Sequence, residues 1–92
     1  MAKVLIQITD EDIRRGVPVS SENCPAARAL RRATKQPWHV GCTCICLLDD
    51  KGATIAGSIA QLPKKAIEFI DDVDCSNAVH PLWFEMEIPD VY

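Results

Sequence analysis

The stretch WHVGCTCICLL (Trp38–Leu48), then Asp49-Asp50-Lys51-Gly52, then ATIAGSIAQL (Ala53–Leu62), decides how this chain folds. Two apolar runs rich in β-branched and small residues flank a polar tetrad. Gly52 is able to take the positive φ that closes a four-residue loop, so the stretch predicts a β-hairpin. Alternation along the first run sets Trp38, Val40, Cys42, Cys44, Cys46 and Leu48 on one face and His39, Gly41, Thr43, Ile45 and Leu47 on the other. Both faces are largely apolar, so this strand calls for cover on both sides, from the protein's own helices or from a partner.

Upstream of the hairpin, Pro37 ends a helix predicted from Cys24-Pro25 to about Lys35. Asn23 or Cys24 is its N-cap, and Pro25 stands near the first position, where a missing N–H costs nothing. Ala27, Leu30 and Ala33 or Thr34 form an inward stripe. Arg28, Arg31, Arg32 and Lys35, at i, i+3, i+4 and i+7, form a basic stripe on the opposite side. Further upstream, Lys3–Thr9 alternates as a strand, and Thr9 caps a short helix in which Asp12 stands at the acidic position of a capping box. Gly16 and Pro18 stop that helix, and Ser20–Asn23 is loop.

Downstream, Pro63–Asp74 reads as a helix that buries Ala66, Phe69, Ile70 and Val73. Its charges oppose its dipole: Lys64 and Lys65 sit at the positive end and Asp71, Asp72 and Asp74 at the negative end, each costing a few tenths of a kcal/mol. Leu82–Ile88 then alternates, with Leu82, Phe84, Met86 and Ile88 inward and Trp83, Glu85 and Glu87 outward. The order β-α-α-β-β-α-β predicts an α+β two-layer sandwich: about four mostly antiparallel strands in one sheet, with helices on one face. A ferredoxin-like strand order is one candidate.

Ninety-two residues, 48% hydrophobic and 25% charged, make one globular domain, 1–92. No apolar run approaches a membrane span, and the start MAKVLIQITDED lacks the apolar region of a signal peptide, which predicts a cytoplasmic protein. Five cysteines, an odd number without a secretory signal, predict reduced thiols. The net charge of -3 hides a segregation along the chain. Residues 14–35 carry Arg14, Arg15, Arg28, Arg31, Arg32 and Lys35 against Glu22 alone. Residues 66–92 carry Glu68, Asp71, Asp72, Asp74, Glu85, Glu87 and Asp90 with no Lys or Arg.

Catalytic and metal chemistry find little purchase. Cys42, Cys44 and Cys46 on one straight strand are spaced too widely to share a zinc ion, so they read as small hydrophobes under a helix. Cys24, Cys75, His39 and His80 lack zinc-ligand spacing. Cys24 at a helix N-terminus with arginines a turn later has the setting of an activated thiol, with His39 or His80 as conceivable bases, but no motif joins them. The basic stripe suits phosphate or nucleic-acid contact, or simply a solvated face. The acidic end suits a basic protein groove. With helices over Val4, Ile6, Cys42, Cys44, Phe84 and Met86, the other sheet face shows Leu5, Ile45, Leu47 and Trp83, an apolar patch suited to a partner.

The segments RGVP (Arg15–Pro18), NCPAARALRRA (Asn23–Ala33), AIEFIDDVD (Ala66–Asp74) and PLWFEME (Pro81–Glu87) resemble the plan of short proteins encoded by phages and prophages. In those, a C-P-x-A-x-A-L helix precedes a hairpin, an A-x-x-F-I helix and a closing P-x-x-F-E strand. In length, build and split charge the chain is also similar to phage anti-CRISPR proteins, among them inhibitors of the type I-F crRNA-guided surveillance complex. The resemblance implies a binder without enzymatic activity or cofactor, which occupies the Cas protein backbone of the complex and obstructs target-DNA hybridisation. Arg14, Arg15, Arg28, Arg31, Arg32 and Lys35 would then reach guide-RNA phosphates. Asp71, Asp72, Asp74, Glu85 and Glu87 would meet the lysine-rich DNA path, and Trp83 would anchor the contact. The alternative is a small phage nucleic-acid-binding or regulatory protein that uses its basic helix directly.

Overall fold

In the computed structural model, which describes residues 2–89, the local signals at the N-terminus are realised residue by residue. Strand β1 (Ala2–Ile8) leads into helix α1 (Asp10–Arg15) through a complete capping box. Thr9 Oγ1 accepts the Asp12 N–H at 3.2 Å while Asp12 Oδ2 accepts the Thr9 N–H at 3.0 Å. Helix α1 ends at Gly16, where the backbone turns extended with its N–H on the Asp12 carbonyl, and only glycine fits: a Cβ there would lie 2.6 Å from both that oxygen and the Pro25 ring. Helix α2 (Pro25–Thr34) starts at Cys24, whose sulfur accepts the Ala27 N–H at 3.4 Å, and ends at Lys35 in the left-handed conformation. Its buried residues are Pro25, Ala26, Ala27, Ala29 and Leu30, whereas Ala33 is exposed. Small side chains let α2 lie close on β1, and α1 packs against α2 in turn.

The predicted long strand Trp38–Leu48 is instead folded back on itself. Strand β2 (His39–Val40) and strand β3 (Cys44–Cys46) pair with each other, His39 opposite Cys46 and Val40 opposite Ile45, around a tight turn closed by the Gly41 N–H on the Cys44 carbonyl at 2.8 Å. The turn reverses side-chain parity, so Val40 and Ile45 share the inward face. Trp38, Val40, Ile45 and Leu47 are therefore buried together. Cys42 is exposed at the turn, and Cys44 and Cys46 lie half-buried on the outward face, not under a helix.

The Asp49–Gly52 turn forms as expected: the Gly52 N–H reaches the Asp49 carbonyl at 3.0 Å, Gly52 has φ 82°, and Asp49 Oδ1 accepts the N–H groups of Lys51 and Ala53. Beyond it the second run is interrupted. After the Leu48–Thr54 bridge the chain bends at Gly57, and strand β4 (Ala60–Gln61) joins β3 in a shifted register, Ile45 opposite Ala60. The Ser58 hydroxyl fills the gap, accepting the Leu47 N–H at 3.0 Å and donating to the Ile55 carbonyl at 2.7 Å.

Helix α3 (Lys64–Asp74) buries Ala66, Phe69, Ile70 and Val73, the stripe its periodicity predicts. Strand β5 (Leu82–Ile88) pairs antiparallel with β1 along its whole length, from Ala2 opposite Ile88 to Ile8 opposite Leu82. The protein is thus α+β with antiparallel strands, divided between a β1-β5 pair and a β2-β3-β4 sheet, where a single sheet was expected. The two share one core, in which Ile6, Leu30, Trp38, Ile45, Phe69 and Phe84 meet. No helix among the described residues is long and apolar enough to cross a membrane. Asp90, counted among the acids of residues 66–92, lies outside the described residues.

Candidate functional site

The basic stripe on α2 forms, but most of it is occupied. Asp12, 0% exposed, faces it from α1. Arg32 grips this carboxylate with two bonds, Nη1 to Oδ1 at 2.8 Å and Nη2 to Oδ2 at 2.7 Å, and Nη2 also donates to the Gln7 carbonyl at 2.8 Å. Arg28 Nε lies 3.4 Å from Asp12 Oδ1, and Arg31 Nε donates to the Trp38 carbonyl at 3.2 Å. Arg15 pairs with Glu11 at 3.3 Å on the helix surface, while Arg14 and Lys35 point to solvent. Burial by itself would raise the Asp12 pKa, but the Arg32 hydrogen bonds and charge and the Thr9 N–H outweigh it and lower the value from 3.8 to about 2. The stripe is a clasp that fastens α2 to α1, β1 and the start of the hairpin. Arg32 spends most of its donors inside the molecule, whereas Arg31 gives one and Arg28 faces Asp12 as an ion pair without a hydrogen bond from Nε.

The acids on α3 and β5 are differently placed. Among the described residues no lysine or arginine pairs with Asp71, Asp72, Asp74, Glu85 or Glu87. Glu68 stands 3.8 Å from Lys64, both side chains largely exposed. Asp74 Oδ1 accepts the Val19 N–H at 2.9 Å, and Asp72 Oδ1 accepts the Asn77 side-chain amide at 3.3 Å, which offsets part of the cost of carboxylates at a helix C-terminus. Lys65, at the unfavourable N-terminal end, covers the Trp83 ring at 4.7 Å. Trp83 is 56% exposed and Leu5 48%, and the β1-β5 register sets them diagonally on the outward face beside Glu85 and Glu87. Ile45 and Leu47, expected on that patch, belong to the core because of the parity reversal at the Gly41–Cys44 turn.

Two features escape a reading of the sequence. The loop after α1 presents Val17, 51% exposed, and Val19, 77% exposed, and Val19 has φ 62°, a conformation that β-branched residues rarely adopt. Beside it a depression runs between the Gly41–Cys44 turn and α3, with Cys42, Ile67 and Ile70 in its lining and Glu68, Asp71 and Asp74 along its rim. The i, i+3, i+4, i+7 set Ile67, Ile70, Asp71 and Asp74 signals a mixed flank on α3, but nothing in the sequence shows that the turn lies across from it.

Cys24 caps α2 from inside the core. Burial pushes its thiol up, the N–H groups of the helix start pull it back in part, and the Asp74 charge raises it further, which is the reverse of an activated nucleophile. Among the described residues no three His, Cys, Asp or Glu side chains converge as a metal site. Comparison with family models, with curated proteins and with solved structures finds no match to this chain.

Proposed function

We propose that this chain is a phage-type inhibitory binding protein of the anti-CRISPR kind. It acts stoichiometrically on Cas backbone subunits of a type I crRNA-guided complex and engages them mainly through its carboxylates on α3 and β5. The observation that carries this reading is the asymmetry in how the charges are used. Arg28 and Arg32 are paired with Asp12 and Arg31 is held on the Trp38 carbonyl, whereas Asp71, Asp72, Glu85 and Glu87 have no cationic partner among the described residues. A lysine-lined DNA path is the complement of such carboxylates, and the exposed Trp83 and Leu5 supply apolar anchoring beside Glu85 and Glu87. The likeness in length, build and split charge to phage anti-CRISPR proteins carries the choice of target.

Direct nucleic-acid binding by the basic helix is the weaker alternative, since each guanidinium held inside the molecule is one fewer for phosphate. Co-migration with an assembled type I complex and loss of target-DNA binding by that complex test the proposal. Trp83→Ala is expected to weaken the association about tenfold or more with little loss of stability, and Lys35→Gln to leave it nearly unchanged. Absence of co-migration, or tight binding of free nucleic acid with a steep salt dependence, refutes it.

A further inference from the structure

We infer that the depression between the Gly41–Cys44 turn and α3 is a docking groove for a protein segment that presents an aliphatic side chain next to lysine or arginine. This deepens the proposed function by stating what the partner must offer at one place. About 310 Å³ of space lies between Cys42 and Thr43 on one wall and the Ile67, Ile70 flank of α3 on the other, enough for a large aliphatic side chain. It adjoins a second hollow of about 180 Å³ that runs past Val40 to the exposed Val19. The two hollows share Cys42, Ile70 and Asp74 in their walls.

The rim decides the occupant. Glu68, Asp71 and Asp74 line one side, and among the described residues the only cation paired with any of them is Lys64, on the largely exposed Glu68. Phosphate backbones and anionic lipid surfaces are repelled there. The same groove of a second copy is repelled as well, because both carry one sign of charge. An apolar side chain flanked by ammonium or guanidinium groups satisfies both floor and rim.

The probe is a short synthetic peptide with one leucine flanked by lysines, titrated into isotope-labelled protein and followed by amide NMR shifts. Saturable binding is expected, with shifts centred on Cys42, Thr43, Ile67 and Asp71, and an affinity weakened about tenfold or more when the leucine becomes asparagine. Glu68→Gln with Asp71→Asn, both on exposed positions, should weaken it similarly. Equal binding of the asparagine peptide, displacement of the peptide by spermidine at comparable charge concentration, or shifts spread over Glu85 and Glu87 overturns the inference. A peptide that seats in the groove while the protein ignores the Cas complex refutes only the proposed function. A complex whose affinity is unchanged by the double variant refutes only the groove.

Discussion

Asp12→Asn removes one charge from the buried clasp and leaves Arg28 and Arg32 facing a neutral amide. The Asp12 carboxyl falls from its usual 3.8 to about 2 in the folded protein, which corresponds to about 2 kcal/mol of stabilisation. An enclosed ion pair that loses one partner costs about 3–5 kcal/mol. The Arg32 side chain is 52% exposed, however, so solvent screening keeps the expected loss near the lower figure. A loss of about 2 kcal/mol lowers the melting temperature of a chain this size by roughly 8–16 °C. Urea unfolding followed by the fluorescence of the buried Trp38 measures it. Because the folded-state pKa is depressed, the stabilisation is whole above the unfolded-chain value and drains away as pH falls through the folded one. Parent and variant should therefore differ at neutral pH and converge as pH drops from about 4 to about 2. Equal stabilities at neutral pH, or a gap that stays constant through that range, refute the clasp. Arg32→Gln in the Asp12→Asn background should cost less than it does in the parent, since the two residues share one interaction.

Gly16→Ala forces a Cβ to 2.6 Å from the Asp12 carbonyl and the Pro25 ring, and is expected to cost about 1–3 kcal/mol in the same urea assay. Ser58→Ala strands the buried Leu47 N–H and costs about 1–3 kcal/mol, with faster hydrogen exchange at Leu47 as its local signature. In native protein treated with a thiol-alkylating reagent at neutral pH, Cys42 and Cys75 should be modified first, while Cys24 reacts only after unfolding. Mass spectrometry of the peptides reads the order, and early labelling of Cys24 contradicts its buried place.

Where neighbouring residues settle the outcome among themselves, the sequence by itself determined this protein: the Thr9–Asp12 capping box, the Pro25 start of α2, the Ala66, Phe69, Ile70, Val73 stripe, the Asp49–Gly52 turn and the alternation of Leu82–Ile88 are all local patterns. The hairpin's register was beyond such reading. Trp38–Leu48 is largely apolar at both parities, and Thr43 near Gly41 fits a continuous strand as well as a turn, so packing of Trp38 and Ile45 into one core selects the fold at Gly41–Cys44. The same limit governs the candidate site. Helical spacing puts Arg28, Arg31 and Arg32 on one face, but whether that face meets solvent or Asp12 depends on where α1 is laid. Whether the α3 acids border a groove depends on the turn brought opposite them. Spacing along a helix fixes which side chains travel together, and only the packing of distant elements decides which charges are consumed inside the molecule and which remain for a partner.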